Sequence, residues 1–438
     1  MTRYYLSLAL RGLMQHRALT ALMVIAIGLG IAATMTGLTI VARYGSDPIP
    51  QKSDKLFAVQ LDAWKGDAPT NRDNNEAAPD QLTYKDATAL MQRAPAQRQT
   101  AMYVTKVAVQ SENPEIAPSR HIFRATRNDF FELFELKFIY GSAWSDSDDA
   151  EKARVTVLTA PLAETLFGKT NPVGKQVQLG GEHYTVTGVV ESFDPKPKFY
   201  DLNHGSLSDM DEAFFPISTA VDLQITQMGN TSCFESPGDG WAAFTQSECV
   251  WVQYWAELED AAAVLKFQQF IDAYADEQHA LGRFKDTTRN NHLLNVKQWL
   301  TAAKVVPEDS KIFVYVSIGF LLVCLINAVG LMLAKFLRRG SELSVRRALG
   351  ASKKSIFIQH LFEAAAVGAA GAVLGALLTQ LGLLSMRGLY TELENFATLD
   401  LPMLSLLAAI SIGATLLAGI LPAWRVSQLP PAYALKAN

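Results

Sequence analysis

Four apolar runs, each free of Asp, Glu, Lys and Arg, constrain this sequence more than any other feature. They are Ala18–Ala42, Ile312–Ala334, Ala364–Met386 and Leu401–Trp424. Each exceeds the roughly 18 residues that indicate a membrane helix. The first run is too long for the apolar part of a secretion signal, and no convincing cleavage site follows it. The sequence therefore predicts four transmembrane helices, of which the first is an uncleaved anchor.

Charge separates the segment between the first two runs from the rest of the chain. Residues 43–310 carry 25 basic and 38 acidic side chains, a net charge of −13, whereas the two termini and residues 335–363 are rich in Lys and Arg. Basic loops stay on the cytoplasmic side of a membrane. This asymmetry predicts both termini in the cytoplasm and residues 43–310 outside it.

These two patterns predict the domain boundaries. The domains are an N-terminal cytoplasmic or interfacial helix (1–17), transmembrane helix 1 (18–42), an outside α+β domain with stalk ends (43–311), transmembrane helix 2 (312–334), a cytoplasmic segment (335–363), transmembrane helix 3 (364–386), a short outside loop (387–400), transmembrane helix 4 (401–424) and a cytoplasmic tail (425–438). The outside domain is predicted as α+β because strand patterns such as 104–110 and 251–258 are mixed with short helices such as 161–167.

The most basic segment lies between the second and third runs. Lys335–Lys354 contains seven Lys or Arg residues and one acid, Glu342. The sequence predicts a short helix here, and Ser341 is a suitable residue to cap it. Two interpretations fit these residues. The basic side chains hold the loop in the cytoplasm, or the helix also docks on a soluble partner.

Residues 342–352 read Glu-Leu-Ser-Val-Arg-Arg-Ala-Leu-Gly-Ala-Ser and resemble the coupling segment of MacB/FtsX-type ABC transporter permeases. The resemblance implies that residues 341–350 form a coupling helix seated in a groove of an ATPase subunit, which favours the docking interpretation. The residues that it assigns to this coupling are Glu342, Leu343, Val345, Arg346, Arg347, Leu349 and Gly350.

A second resemblance covers roughly residues 120–192. Arg124-Ala-Thr-Arg-Asn-Asp-Phe-Phe-Glu-Leu-Phe, Asn171-Pro-Val-Gly-Lys and Tyr184-Thr-Val-Thr-Gly-Val-Val follow the order of the MacB-like periplasmic core domain. The resemblance is weakest over residues 200–255. Together the two resemblances imply four spans with a large periplasmic α+β domain between the first and second.

The family resemblance also implies a function. The chain would be a multi-pass permease in the bacterial inner membrane, coupling ATP hydrolysis by an ABC ATPase dimer to periplasmic conformational change (mechanotransmission). Its expected work is efflux of an antimicrobial, a peptide or a lipid-linked molecule, together with a second permease copy and, in some systems, a periplasmic adaptor and an outer-membrane channel. The alternative is an FtsX-like signalling or anchoring protein that regulates a periplasmic partner without transport.

No catalytic, cofactor or metal site is predicted in the chain itself. The stretch Ala163–Thr170 resembles a phosphate loop, but Ala163 stands where that motif requires its first glycine. ATP and Mg²⁺ are therefore expected on a separate ATPase subunit. The seven histidines have no metal-ligand spacing, and no basic patch with interleaved aromatics indicates nucleic acid.

Several further residues invite structural predictions. Cys233 and Cys249 lie outside the cytoplasm and are predicted to form a disulfide, with two separate buried thiols as the alternative. Gly371 and Gly375 form a GxxxG pair that favours close helix packing, within the bundle or at a dimer seam. Asn327 is a polar residue within the second span, able to bond across helices. Two clusters are also predicted: an aromatic one of Trp241, Phe244, Trp251 and Trp255, and a solvated acidic turn of Asp146, Asp148, Asp149 and Glu151.

Overall fold

The structure is a computed structural model that describes residues 8, 11–14, 16–63, 78–111, 116–284, 290–389 and 400–428. The chain divides into two compact units. The helical unit is formed by Met1–Tyr44 and Val306–Asn438, and the inserted domain is formed by Gly45–Val305. The helices are α1 (Arg17–Tyr44), α2 (Tyr84–Arg93), α3 (Asp129–Leu133), α4 (Asp146–Ala150), α5 (Ala160–Phe167), α6 (Ile217–Asp222), α7 (Trp241–Thr245), α8 (Ala261–Ala280), α9 (Val296–Ala302), α10 (Glu308–Leu337), α11 (Gly340–Ala348), α12 (Lys353–Leu389) and α13 (Leu401–Ser427).

Four helices of the helical unit are long and apolar enough to cross a membrane. The most apolar 18-residue stretch has a mean hydropathy of 2.2 in α1, 2.5 in α10, 1.9 in α12 and 2.2 in α13. With a rise of about 1.5 Å per residue, each can cross a hydrocarbon core of roughly 30 Å. The prediction of four membrane helices around a large α+β insertion is therefore confirmed.

The helix α1 packs against α12 and α10. Its side chains Met23, Ile27, Ile31 and Met35 are fully buried and follow one another at intervals of four residues. This spacing places them in one stripe along the helix. Leu321 of α10 is buried in the same hydrophobic core.

The inserted domain is organised around an eleven-stranded sheet. Its strand order is β11-β1-β10-β3-β4-β9-β6-β8-β5, with β2 beside β10 and β7 beside β3 and β8. The pairs β4–β9 and β6–β8 are parallel, and the other pairs are antiparallel. The strands are β1 (Leu56–Gln60), β2 (Leu82–Thr83), β3 (Arg98–Gln110), β4 (Ser119–Thr126), β5 (Phe138–Gly141), β6 (Val155–Thr159), β7 (Gln176–Leu179), β8 (Glu182–Val190), β9 (Ala213–Pro216), β10 (Val250–Glu257) and β11 (His292–Asn295).

Short polar side chains begin several helices of the inserted domain. Thr83 accepts a hydrogen bond from the backbone N–H of Asp86 at the start of α2, and Asp260 accepts one from Ala263 at the start of α8. Asn128 caps α3. These bonds satisfy backbone donors that have no partner within the helix, which fixes where each helix begins.

The prediction of a solvated turn at the acidic cluster is wrong in its conformation and for Asp149, although Asp146 and Glu151 are exposed. Residues Asp146–Ala150 form the helix α4 instead, because Ser145 and Asp148 make a reciprocal capping box. In such a box two backbone N–H groups are satisfied by side chains, so a sequence dense in acids still begins a helix. Asp149 is buried rather than solvated.

The predicted aromatic cluster divides into two. Trp251 packs near Phe244 and Trp241, with ring centroids 5.2 and 6.2 Å away. Trp255 instead lies against Phe199, at 5.4 Å. The pairing register of β10 shifts between Val250 and Val252. An irregularity of this kind re-aims side chains, so spacing in the sequence did not indicate which of these rings would meet.

A buried ionic cluster lies inside the inserted domain. Arg124 on β4 contacts Asp201 at 2.8 Å and Asp211 at 2.7 Å, and Lys198 contacts Asp211 at 2.9 Å. Tyr200 donates its hydroxyl hydrogen to Asp211 at 3.0 Å. Two acids balance two bases, so the buried group carries no net charge.

The partners of Asp211 control its ionisation. Burial would raise the pKa of Asp211, but Arg124 and Lys198 outweigh burial and hold the pKa well below its usual range. A carboxylate whose folded pKa is lowered stabilises the fold above its unfolded pKa of about 3.9, and that stability is lost as the pH falls towards the folded pKa.

We expect Asp211→Ala to lower the free energy of unfolding of the inserted domain by about 3–5 kcal/mol, because it leaves buried positive charge without its partner. Tryptophan fluorescence of the full chain during unfolding measures this, since six of the seven tryptophans lie in the inserted domain. Glu182→Ala is the control, because it removes the exposed partner of Arg154 and should cost about 0–1 kcal/mol. Equal losses from the two changes would contradict the prediction.

Candidate coupling site

The helix α11 connects two membrane-spanning helices through tight turns. It begins at Gly340, three residues after the end of α10, and α12 begins at Lys353. Gly350 follows α11 with a φ of +102°, a backbone conformation that glycine adopts without strain. There the N–H of Gly350 bonds to the carbonyl of Arg347 and the N–H of Ala351 bonds to that of Arg346.

The prediction that Ser341 caps this helix is wrong. The cap residue is Arg339, and it makes no side-chain cap hydrogen bond. Because α11 begins at Gly340, Ser341 lies within its first turn. The N–H of Leu343 bonds to the carbonyl of Arg339, so the chain passes from α10 into α11 through backbone bonds rather than a serine cap.

The residues assigned to coupling lie on different faces of α11. Leu343 is buried in the core of the helical unit with Phe336 and Ile356, so it is not available to a partner. Val345 is 55% exposed and Leu349 is 83% exposed. Val345 and Leu349 therefore form an exposed apolar face, whereas Leu343 packs α11 against the rest of the helical unit.

The charged residues of α11 are engaged within the chain. Glu342 contacts Arg346 at 2.7 Å, one turn further along the helix. Arg346 also donates a hydrogen bond to Gln359 of α12 at 3.3 Å. Arg347 is half-buried and Gly350 is exposed. Glu342 and Arg346 thus serve the local structure of α11, whether or not they also touch a partner.

Four polar residues beside α11 were missed by the sequence analysis. Arg339 contacts Glu363 of α12 at 2.7 Å, and both side chains are buried. His360 lies 3.6 Å from Glu363, and Lys335 donates a hydrogen bond to Thr20 of α1 at 3.2 Å. Glu363 is an acid directly before a long apolar run, and that position was the one signal in the sequence.

The two small residues of the GxxxG pair lie against α1. A Cβ atom on Gly371 would be 2.8 Å from Cγ2 of Ile27, and one on Gly375 would be 2.9 Å from Cγ2 of Ile31. Both distances are shorter than ordinary contacts, so the side chains of α1 occupy the space that these glycines leave open. The pair packs helices within this chain.

Cys233 and Cys249 form a disulfide in the inserted domain. Cys249 is fully buried, and the bond joins the loop before α7 to the start of β10. The backbone of Ser232 pairs with that of Val250 beside it. The third cysteine, Cys324, is a buried free thiol in α10.

A serine, a histidine and a glutamate also come together on the inserted domain. Oγ of Ser119 lies 2.7 Å from Nε2 of His121, and Nδ1 of His121 lies 2.8 Å from Oε1 of Glu212. Glu212 also accepts the backbone N–H of Ile122 at 2.9 Å. We assign these side chains a structural role, joining β4 to the segment before β9. Within the described ranges, no group of three His, Cys, Asp or Glu residues could hold a metal ion.

Four helices long and apolar enough to span a membrane, with an α+β domain inserted after the first and a short basic helix between the second and third, define a multi-pass membrane protein. The sequence model of the MacB-like periplasmic core domain matches residues 20–274, and that of the FtsX-like permease C-terminal domain matches residues 314–431. The chain belongs to the MacB/FtsX-type permeases of ABC transporters.

Individual relatives are similar along most of the chain. It is 24% identical over 394 residues to the macrolide export ATP-binding/permease protein MacB of Syntrophobacter fumaroxidans, covering 81% of this chain and 52% of the relative. It is 24% identical over 433 residues to MacB 2 of Aeromonas hydrophila, covering 98% and 60%. The chain therefore spans between half and three-fifths of the length of these relatives. The periplasmic region of MacB from Actinobacillus actinomycetemcomitans matches 58% of this chain, and 94% of that structure is covered, with 15% identity and a TM-score of 0.37.

We expect Gly371→Leu to lower the thermal midpoint of the helical unit in detergent. A side chain at this position would overpack the contact with Ile27, which costs about 1–3 kcal/mol of stability. Far-ultraviolet circular dichroism measures the midpoint. Gly413→Leu is the matched control, since nothing lies within 4 Å of a Cβ atom built there. Identical midpoints for the two variants would show that the α1–α12 contact is loose.

Proposed function

We propose that the chain is the permease subunit of an ABC transporter complex and that α11 docks on a separate ATPase subunit. The exposed apolar pair Val345 and Leu349 is the observation that carries this proposal. Covering an exposed apolar face with a partner removes it from water, which lowers the free energy of the complex. The surrounding residues Arg338, Lys353 and Lys354 are exposed and basic, which suits a partner groove with an acidic rim.

The charge pattern supports an orientation for the proposed complex. Residues 335–363 are basic and the inserted domain is acidic, which favours α11 and both termini in the cytoplasm of a bacterial inner-membrane protein. ATP and Mg²⁺ would then bind the ATPase, on the same side as α11. Closure of the ATPase dimer would displace α11, and α1 and α10 would carry the motion to the inserted domain as mechanotransmission.

The proposed work of the complex is efflux of a periplasmic substrate such as an antimicrobial, a peptide or a lipid-linked molecule. The names of the relatives support an export function, and the inserted domain, at residues 45–305, is large enough to bind such a molecule or an adaptor. A periplasmic adaptor and an outer-membrane channel would complete the route out of the cell.

We expect Leu349→Glu and Val345→Glu to reduce the ATP hydrolysis that co-purifies with the chain from membranes of its native host by about tenfold or more. A buried carboxylate at a docked apolar position loses its hydration without gaining a partner, which costs several kcal/mol. The measurement is Mg²⁺-dependent phosphate release, with the retained ATPase identified by mass spectrometry.

Leu281→Glu is the control for this experiment, because Leu281 is also highly exposed but lies in the inserted domain. It should retain the activity of the wild-type chain. If all three variants retain that activity, the basic segment only sets topology. A regulatory protein that anchors a periplasmic partner would then be favoured.

We propose that a second permease chain packs on α10. Asn327 lies in this span, and among the described residues it is exposed and has no hydrogen-bond partner. An unpaired amide is costly in hydrocarbon, and an amide can both donate to and accept from a second amide. The exposed residues around it follow a spacing of three and four that suits a helix seam, namely Phe320, Val323, Asn327, Gly330 and Ala334.

We expect Asn327→Leu to raise the dissociation constant of the detergent-solubilised dimer by about threefold to thirtyfold, which corresponds to roughly 0.6–2 kcal/mol for one interhelical hydrogen bond. Sedimentation over a range of protein-to-detergent ratios measures it. Ile326→Leu, a change at the neighbouring exposed position, should leave the constant unaltered. An unaltered constant in Asn327→Leu would exclude this face as a seam between two copies.

A further inference from the structure

A ring of polar contacts joins α11 to α12. Starting on α12, Glu363 contacts Arg339 at 2.7 Å, and Arg339 contacts Glu342 at 3.4 Å. Glu342 contacts Arg346 at 2.7 Å, and Arg346 donates to Gln359 of α12 at 3.3 Å. We call these five residues the clamp.

The four contacts begin at Glu363 and end at Gln359, and α12 itself closes the ring because it carries both residues. Gln359 and Glu363 are four residues apart and lie on one face of α12, as Glu342 and Arg346 do on α11. The short helix is therefore held to the long one at two points rather than one. Two points of attachment oppose rotation of α11 about its own axis, which a single ion pair would permit.

The two attachments differ in strength. Arg339 is 8% exposed and Glu363 is 1% exposed, whereas Glu342 and Arg346 are 40% and 33% exposed. Solvent screens the exposed pair, so it contributes little. Removing one partner of the buried pair leaves a charge without compensation, so the attachment depends mainly on Arg339 and Glu363.

Other groups enclose the buried pair. A Cβ atom built on Gly12 would collide with Oε1 of Glu363, so the segment before α1 closes over the carboxylate and leaves room for no side chain. His360 is fully buried at 3.6 Å from Glu363, and its ring lies 4.1 Å from that of Phe336 at the end of α10. The pair thus lies where the segment before α1, α10, α11 and α12 meet.

We propose that the clamp passes displacement of α11 to α12, with Arg339 and Glu363 as its positioning residues. This inference rests on the proposed function, because it presumes that a partner moves α11. The exposed residues Val345 and Leu349 receive the partner, whereas Glu342 and Arg346 of the same helix contact Arg339 and Gln359. Docking and transmission are therefore carried by different residues and can be separated by substitution.

The test uses the full chain with its co-purified ATPase, reconstituted in lipid nanodiscs. Glu363→Gln keeps the size of the side chain and removes its charge, Arg339→Glu places two acids together, and the double variant Arg339→Glu with Glu363→Arg restores a pair of opposite sign. Glu308→Gln is the control, because its exposed partner Lys311 lies at the other end of α10.

Two quantities are measured for each variant. The first is the amount of ATPase retained, which reports docking. The second is the change in hydrogen exchange of backbone amides in α12 between nucleotide-free samples and samples with Mg²⁺ and a non-hydrolysable ATP analogue, which reports transmission. We expect Glu363→Gln and Arg339→Glu to retain ATPase within about twofold of wild type and to reduce the nucleotide-dependent change by about tenfold or more.

The double variant and the control decide the inference. Recovery of at least half of the nucleotide-dependent change in the double variant, with Glu308→Gln like wild type, supports the clamp, since a role in folding alone would not alter the second quantity while sparing the first. A full nucleotide-dependent change in Glu363→Gln and Arg339→Glu would overturn the clamp and leave the proposed function standing. If the wild-type chain retains no ATPase, both proposals fail.

Discussion

The absence of water in the hydrocarbon core of a bilayer is the constraint on which the helical unit depends. Every backbone polar group in a span must be satisfied within the protein, which restricts the four spans to helices. Charged side chains are costly in the same region, so they collect where the spans end. In this chain they collect around α11, where Lys335, Arg339 and Glu363 are buried at the boundary between apolar helices and the short basic helix. Among the described residues of the helical unit, this polar region joins α10, α11 and α12.

The spans and the family could be predicted from the sequence because both depend on short, contiguous signals. Uncharged runs identify membrane helices whatever the rest of the chain does, and Glu342–Ser352 carries the resemblance in eleven consecutive residues. The predictions failed where contacts outside the motif buried a side chain, or where a local cap was overlooked. The resemblance assigned Leu343 to the docking surface, but Leu343 is buried with Phe336 and Ile356. Asp149 reads as solvated, but the capping box begun by Ser145 turns its segment into a helix and it is buried.

The same distinction applies to the inserted domain. Strands and caps such as Thr83 follow from neighbours within a few residues, but the order of the eleven strands does not. Arg124 is charged and lies in a run that otherwise reads as an ordinary strand. Its partners Asp201 and Asp211 are 77 and 87 residues further along the chain, so no local pattern marks it as buried. An unpaired buried charge is costly, so the fold must bring all members of such a cluster together.

The geometry of α11 changes how charge substitutions in this segment should be interpreted. Glu342 and Arg346 belong to the family motif, which makes them obvious choices for testing a partner contact. Each is already paired with the other and connected through Arg339 or Gln359 to α12. Reversing either charge would alter these contacts within the chain together with any contact to a partner, so the change would not separate the two roles. Val345 and Leu349 have no such connection, because they are apolar and point away from the core. A docking surface on this helix is therefore tested at its apolar residues, and the charged residues test how the helix is held.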